Sequence, residues 1–193
     1  MTTTRVVRFH RPGGPEVLQV DEIPLAKPTA GEVLVRDQAM ALNRADGLWR
    51  AATYIEDPIL PARIGYDIAG VVEAVGTGVS TLWVGDKVSS IPAASVAHYG
   101  NHGETAIYPA DALIKYPSRL SPEQAVAVNN GLLTAYFPMV EVAQIKRGQT
   151  IVLTAGSSST AMAALQIAKR LGLRTIAITR TRAKFRTLMD AGF

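Results

Sequence analysis

The residues best suited to chemistry lie between positions 149 and 169. There a short apolar run meets a turn of very small side chains, followed by an alanine-rich segment with helical spacing. This order predicts a strand, a tight turn and a helix, the start of a nucleotide-binding βαβ unit. Small turn residues let backbone N–H groups approach a pyrophosphate at the helix N-terminus. The pattern therefore indicates dinucleotide binding and favours redox chemistry. The predicted turn contacts are Gly156, Ser157, Ser158, Ser159 and Thr160.

A second group of candidate residues follows the next predicted strand, at positions 179–184. An NAD site usually ends this strand with an acidic residue that binds the ribose hydroxyls. This segment has three basic residues and no acid, and guanidinium–phosphate contacts are strong. The pattern predicts NADP(H), with a solvated helix turn as the alternative, although bases there oppose the helix dipole. The predicted contacts are Thr179, Arg180, Thr181 and Lys184.

Composition limits the possible classes of protein. The 193 residues are 48% hydrophobic and 19% charged, which suits one domain, or one domain and part of another. No run approaches the roughly 20 apolar residues of a membrane span, and the first eight residues lack the apolar core of a secretory signal. We therefore expect a cytoplasmic protein without a membrane partner. The absence of cysteine excludes disulfides and thiolate metal sites.

The charge distribution is uneven. The net charge is +4, and after Glu141 the only acidic residue is Asp190, while basic residues recur throughout that part. A basic segment can bind nucleic acid. Here Phe185 is the only aromatic residue near the bases, so a phosphate-bearing cofactor and helix solvation explain them better. No nucleic-acid partner is expected.

The elements that must position these residues change character along the chain. Residues 5–10, 18–23, 32–40, 68–75, 105–109 and 113–115 read as strands separated by Gly and Pro turns, with a short helix at 45–50. Many short strands with such punctuation predict a β-barrel-like domain.

From Ser121 the pattern becomes helical. Ser121 is a typical N-cap followed by proline, and the helix is predicted to reach residue 128. A second helix is predicted at 131–140, with Pro138 ending or kinking it. Strand 149–155, helix 158–171, strand 174–179 and helix 182–190 then alternate. The predicted domains are residues 1–120 and 121–193.

Five segments in this order resemble the medium-chain dehydrogenase/reductase superfamily, which contains zinc alcohol dehydrogenases and zinc-free quinone oxidoreductases. They are residues 43–46, 65–76, 85–88, 133–136 and 163–168. The resemblance implies a mixed fold: a GroES-like β-barrel N-terminal domain followed by the first half of a Rossmann α/β domain. It also implies about four further strands after Phe193, a homo-oligomer, and hydride transfer between NAD(P)H and a small carbonyl, quinone or enone substrate.

The resemblance also places the positions of the catalytic zinc ligands. They fall at Asn43, Tyr66 and Asn130, none of which is a good zinc ligand, and no cysteine exists for a structural zinc. We therefore expect no metal. His98 and His102 are four residues apart and could face one metal, but no third ligand accompanies them, which favours two ordinary loop histidines.

Without a metal, another group must polarise the substrate carbonyl, and a phenol or an amide can donate to a developing oxyanion. The resemblance places the candidate catalytic residues Asn43, Tyr54, Tyr66 and Asp67 near the cleft. It also places Asn43, Asn130 and Thr134 near the cofactor. Four of these residues have a structural alternative: a helix cap for Asn43, core packing for Tyr66, a turn anchor for Asp67 and a helix-internal hydroxyl for Thr134.

The cofactor turn departs from the family pattern. Where relatives often have Ala-x-x-Gly-x-x-Gly, this chain has Ala155, Ser158 and Ala161 at the corresponding positions. A serine there would cost on the order of 1 kcal/mol if its position needed a positive φ. Three functions stay open: a zinc-free NADPH-dependent reductase, an alcohol dehydrogenase with altered ligands, and a non-catalytic NADPH-binding protein.

Overall fold

The computed structural model describes residues 2–193. The chain divides into two compact units, the first ending at Asn129 and the second running from Asn130 to Phe193. The domain division after residue 120 stays a prediction.

The first unit is built almost entirely from antiparallel strands, as expected. Its strands are β1 (Thr3–Phe9), β2 (Leu18–Pro24), β3 (Glu32–Ala41), β4 (Ala62–Arg63), β5 (Asp67–Val75), β6 (Lys87–Ser90), β7 (Thr105–Pro109) and β8 (Leu113–Lys115). One sheet has the order β2-β1-β4 and the other the order β7-β3-β5-β6-β8. Two short helices, α1 (Arg44–Arg50) and α2 (Val96–Tyr99), lie between strands.

Alternating side chains of the larger sheet form the main core of this unit. Val33 and Val35 of β3 pack with Ile68 and Val72 of β5. A second cluster joins Phe9 of β1 to the ring of Trp49 on α1, and it includes Tyr66. Tyr66 of the second cluster directly precedes β5.

The pairing of β3 with β5 brings two candidate site segments together. The ladder ends with Ala41 opposite Asp67, so Asn43 and Tyr66 both lie just beyond it. Within the ladder, a Cβ on Gly70 would lie 2.0 Å from the carbonyl oxygen of Arg36. The two strand backbones therefore approach each other closely at this glycine.

Helix α3 (Pro122–Tyr136) contains the boundary between the units. It begins at the expected cap: the Gln124 N–H donates to Ser121 Oγ at 3.3 Å, and the Ser121 N–H donates to Gln124 Oε1 at 3.0 Å. The prediction of two helices here was wrong, because the chain stays helical through residues 129–131. One interior glycine, Gly131, costs a helix only about 1 kcal/mol. Near Pro138 the α-helix gives way to a π-helical turn, Phe137–Val142.

The rest of the second unit alternates as βαβα, in the predicted order. Its elements are β9 (Thr150–Leu153), α4 (Ser159–Leu171), β10 (Arg174–Ala177) and α5 (Phe185–Ala191). The two strands are parallel, with Thr150 opposite Arg174 and Leu153 opposite Ala177. They are shorter than predicted, because the chain turns directly after Leu153. Within residues 2–193 no helix is long and apolar enough to cross a membrane.

Candidate functional site

In the first unit, the candidate site is organised around the side chain of Asn43. Its Nδ2 donates to Oδ2 of Asp67 at 2.7 Å, although 24 residues separate the two in sequence. Asp67 is 2% exposed. A hydrogen bond to a buried carboxylate is one of the stronger kinds in proteins. It fixes the Asn43 amide with its nitrogen toward Asp67.

Asn43 is also the N-cap of α1, which is the structural role expected for it; its role in the cleft stays a prediction. Asp46, one turn into the helix, accepts the Asn43 backbone N–H on Oδ2 at 2.7 Å. Burial raises the pKa of Asp46 to about 6; the hydrogen bond from Asn43 opposes this rise, and the nearby charge of Asp67 adds to it. Asn43 is therefore held at its backbone by one buried carboxylate and at its side chain by another. Asp46 was not among the predicted site residues, although its position three residues after an N-cap is a recognisable signal.

The two candidate tyrosines pack against each other. The ring centroids of Tyr54 and Tyr66 are 5.9 Å apart in an edge-to-face arrangement, with an interplanar angle of 72°. Tyr66 is buried, and burial together with a hydrogen bond to Tyr54 raises the pKa of its phenol. The phenol therefore stays protonated at neutral pH and can act as a hydrogen-bond donor.

Buried polar groups hold the main chain around Tyr66 and Asp67. Ser90 Oγ accepts the Ile68 N–H at 3.0 Å and donates to the Tyr66 carbonyl oxygen at 3.2 Å. Asn129 Nδ2 in turn donates to the Ser90 carbonyl oxygen at 3.0 Å. No local pattern pointed to Ser90 or Asn129, because their contacts span 22 to 39 residues.

The two histidines considered as metal ligands differ in their surroundings. His98 is exposed on α2, whereas His102 is 5% exposed. Burial lowers the pKa of His102 to about 4; a hydrogen bond to the Ala41 carbonyl opposes the shift, and the charge of Arg63 adds to it. His102 is thus a buried neutral imidazole rather than a loop histidine at the surface. Within residues 2–193, no group of three or more His, Cys, Asp or Glu side chains is placed to hold a metal ion.

In the second unit, the turn after β9 is tight and packs closely on β10, as small residues permit. Ala155 adopts φ +48°, and a Cβ on Gly156 would lie 2.6 Å from the Cβ of Ala177 on β10. Ser158 has φ −75° and caps α4, its side chain accepting the Ala161 N–H at 3.2 Å. The strain considered for a serine at this position therefore does not arise, and the left-handed residue is Ala155.

At the start of α4, two backbone N–H groups have no acceptor within the part of the chain that the structure describes. The first intrahelical donor is Met162, whose N–H reaches the Ser158 carbonyl at 2.9 Å. The N–H groups of Ser159 and Thr160 precede it and point out of the first turn, where a helix attracts anions.

The basic loop after β10 contacts this turn. Lys184 Nζ donates to Ser157 Oγ at 2.9 Å, across 27 residues of sequence. Thr181 caps the 3-10 turn Arg182–Lys184, its hydroxyl accepting the Ala183 N–H at 3.3 Å. Arg180 is exposed beside it and Thr179 is half-buried. The structure therefore places the predicted turn and the predicted basic loop next to each other.

Two further candidates lie on one face of α3. Thr134 Oγ1 donates to Asn130 Oδ1 at 3.2 Å, one helical turn away. Thr134 also lines a cavity of about 440 Å³ with Ser158 and Thr160, whose walls are otherwise mainly apolar. The candidate residues thus form a cluster around Asn43 in the first unit, and in the second unit a set around the α4 N-terminus. Their catalytic and binding roles stay predictions.

Comparisons of the sequence and of the fold with known proteins lead to the same group of relatives. Residues 29–118 match the alcohol dehydrogenase GroES-like domain. Over 189 residues the chain is 31% identical to a quinone oxidoreductase of Homo sapiens. The aligned segment covers 97% of this chain and 56% of that protein. It is 33% identical over 186 residues to quinone oxidoreductase 1 of Escherichia coli, covering 96% of this chain and 55% of that protein.

A solved structure agrees with these relatives. The crystal structure of Escherichia coli quinone oxidoreductase complexed with NADPH superposes with a TM-score of 0.87 at 31% identity, covering 97% of this chain and 56% of that one. The chain therefore spans little more than half the length of the relatives it matches. The comparisons support a GroES-like domain in the first unit and a partial Rossmann-like region in the second unit. In sequence and in fold this chain is similar to quinone oxidoreductases, which are members of the medium-chain dehydrogenase/reductase superfamily.

Proposed function

We propose that this chain carries the catalytic unit and the start of the cofactor unit of an NADPH-dependent oxidoreductase. The reaction is hydride transfer to a quinone, an enone or a related small carbonyl compound, without catalytic zinc. The observation that carries the proposal is the contact between Lys184 and Ser157. It joins a turn of small residues at a helix N-terminus to a loop that has basic residues and no acid.

The second unit fits a phosphate-bearing dinucleotide. The N–H groups of Ser159 and Thr160, which have no acceptor among residues 2–193, are suited to bind the pyrophosphate at the start of α4. Gly156 packs directly on Ala177, which keeps the turn narrow enough for close backbone approach. Arg180, Thr181 and Lys184 are suited to a 2′-phosphate, because charge-assisted contacts from guanidinium and ammonium groups favour it. When bound, NADPH supplies the hydride.

The first unit fits the substrate side of the reaction. A carbonyl oxygen that gains negative charge needs a preorganised hydrogen-bond donor. The protonated phenol of Tyr66 and the oriented amide of Asn43 are such donors, with Tyr54 packed against the first and Asp67 holding the second. Hydride transfer to a quinone or an activated alkene depends mainly on positioning, which a rigid buried cluster provides.

The donor set supports a metal-free site. Asparagine and tyrosine stand at Asn43, Tyr66 and Asn130, the positions that carry zinc ligands in zinc-dependent members of the superfamily, and the sequence contains no cysteine. Zinc sites in proteins are built mainly from cysteine, histidine and carboxylate side chains. A cytoplasmic location and a homo-oligomeric state stay predictions.

The test is a fluorescence titration of the chain with NADPH and NADH, followed by turnover with 1,4-benzoquinone. We expect tighter binding of NADPH and oxidation of NADPH by the quinone. Binding without turnover would support a non-catalytic NADPH-binding protein. Turnover that needs added zinc would support an alcohol dehydrogenase with altered ligands.

A charge reversal sharpens the cofactor assignment. Arg180→Asp is expected to weaken NADPH binding by about 10-fold or more and NADH binding much less, because only NADPH carries the 2′-phosphate. The matched control is Arg174→Asp, at the opposite end of β10, which we expect to leave the ratio of the two affinities unchanged. An equal loss of both cofactors in Arg180→Asp would contradict the phosphate assignment.

A further inference from the structure

His102 lies at the point where the two segments of the candidate catalytic site separate. β3 and β5 pair as far as Ala41 and Asp67, and beyond that pair one chain continues to Asn43 while the other comes from Gly65. The His102 backbone N–H donates to the Ile64 carbonyl at 2.8 Å, and the Asn101 N–H donates to the Gly65 carbonyl at 3.3 Å. The histidine is thereby fixed to the second segment.

The imidazole ring occupies the space that a side chain at position 65 would need. A Cβ on Gly65 would lie 2.1 Å from His102 Cδ2 and 2.4 Å from His102 Cγ. Gly65 also has φ +112°, which side chains rarely tolerate. Gly65 and His102 are therefore matched in shape, and the ring packs on the backbone directly before Tyr66 and Asp67.

The other contact of the ring is with the first segment. A ring nitrogen hydrogen-bonds to the carbonyl of Ala41, two residues before Asn43. The second ring nitrogen, Nε2, is buried with no hydrogen-bond partner among residues 2–193. Such a group costs free energy, and an apolar side chain of similar size would avoid the cost. The ring therefore fills the space beside Gly65, and the polar contact with the Ala41 carbonyl favours a histidine over an apolar ring at this position.

We propose that His102 is a positioning residue of the candidate site, acting as a wedge between the Ala41 carbonyl and Gly65. It sets the distance from Asn43 on one segment to Tyr66 and Asp67 on the other. Burial and the neighbouring Arg63 charge keep the ring neutral, so the wedge is a hydrogen-bonded packing element rather than a charge. His102 does not touch the reacting atoms.

The first test reads the geometry directly and does not depend on the proposed function. The side-chain amide of Asn43 gives a pair of NMR signals, assigned by their loss in Asn43→Asp. In His102→Ala we expect both signals to shift and to exchange faster with solvent, because the Asn43–Asp67 bond loosens. The matched control is His98→Ala, an exposed histidine four residues earlier, which should leave them in place. Unchanged Asn43 signals in a folded His102→Ala would overturn the proposal.

The second test reads turnover and rests on the proposed function. Misplacing a site residue by about 1 Å can cost on the order of 100-fold in rate. For His102→Ala we expect kcat to fall about 10- to 100-fold, while KM for NADPH changes less than about twofold. An equal change in kcat and KM would contradict a positioning role. Absence of turnover in the unmodified protein would reject the proposed function, and the NMR test would still decide the role of His102.

Two conservative variants separate the contacts of the ring and cover a failure of His102→Ala to fold. His102→Phe keeps the ring and removes the bond to Ala41, and His102→Gln keeps a donor and removes the ring. We expect His102→Gln to restore most of the kcat lost in His102→Phe. The reverse order would overturn the role of the Ala41 bond.

A double variant tests the contact with Gly65. Gly65→Ala alone should lower kcat strongly, because its methyl group meets the ring. In Gly65→Ala/His102→Ala the ring is absent, so the combined loss should be about 10-fold smaller than the product of the single losses. Independent losses would contradict the wedge.

Discussion

The polar residues of the two units are held in different ways. In the first unit, Asn43, Asp46 and Asp67 are buried or half-buried and are joined by hydrogen bonds of 2.7 Å. In the second unit, Arg180 and Lys184 are exposed, and the main chain shapes the turn. Water can replace a lost partner of an exposed group but not of a buried one. Substitutions should therefore cost more in the first unit.

The largest expected effect is the pH dependence that Asp46 gives to the free energy of unfolding. Its pKa in the folded chain is about 6, against an ordinary value of 3.8. Between these values the folded state binds more protons than the unfolded state, so stability falls as pH rises through this window. Asp46→Asn removes the carboxyl group that binds this proton. Between pH 3.8 and 6 its free energy of unfolding should decline less than that of the wild type, by on the order of 3 kcal/mol.

The measurement is urea unfolding followed by tryptophan fluorescence, because both tryptophans, Trp49 and Trp83, lie in the first unit. The control is Asp57→Asn, an exposed carboxylate of the same unit, whose profile should follow the wild type. Parallel profiles for Asp46→Asn and the wild type would show that burial of Asp46 is not coupled to its proton.

The next effect is the loss of the Asn43 amide. Asn43→Ala removes the donor to Asp67 Oδ2 at 2.7 Å, and a bond to a charged group contributes about 1.5–3 kcal/mol. We expect a loss of about 2 kcal/mol in the urea experiment at pH 7. Gln38→Ala, an exposed amide on β3, should cost less than about 0.5 kcal/mol. Similar losses in the two variants would remove the contrast between buried and exposed amides.

In the second unit, the cap of α4 should matter less. Ser158→Ala removes the bond to the Ala161 N–H, and losing an N-cap costs about 1 kcal/mol. The expected result is faster amide hydrogen exchange in the first turns of α4. Ser159→Ala, one residue further and exposed, makes no such cap and should exchange like the wild type. A larger effect from Ser159→Ala would place the cap at the wrong serine.

The smallest expected effect is a gain in stability. Ala155 has φ +48°, a conformation that costs a non-glycine residue about 1 kcal/mol, and glycine relieves it at some entropic cost. Ala155→Gly should therefore slow exchange in β9 and α4 by an amount equivalent to about 0.5 kcal/mol. The matched control is Ala183→Gly, in the 3-10 turn, where no positive φ is relieved and no gain is expected. Destabilisation by Ala155→Gly would mean that the methyl group makes contacts worth more than the strain.

Local patterns predicted most of the elements. Ser121 and Pro122 predicted the start of α3, and the apolar run and small residues after Gln149 predicted β9, its turn and α4. The break predicted near residue 129 was wrong, because the packing of buried residues on both sides, such as Val126 and Ala135, outweighs the weak helix preference of Gly131. The superfamily resemblance pointed to Asn43, Tyr66 and Asp67, but it could not select Asp46, Ser90 or His102.

Local residue patterns are enough to predict the order of a β-rich unit and a βαβα unit, the helix caps and the basic, acid-free loop after β10. These features depend on neighbouring residues, since periodicity, capping and charge are local. Three contacts follow from the fold of the whole chain: Asn43 bonds to Asp67, Lys184 donates to Ser157, and His102 is buried beside Ala41 and Gly65. Those contacts join residues that are 24 to 61 positions apart. Burial, which sets the strength of a hydrogen bond and the pKa of a side chain, depends on what the rest of the chain places around it.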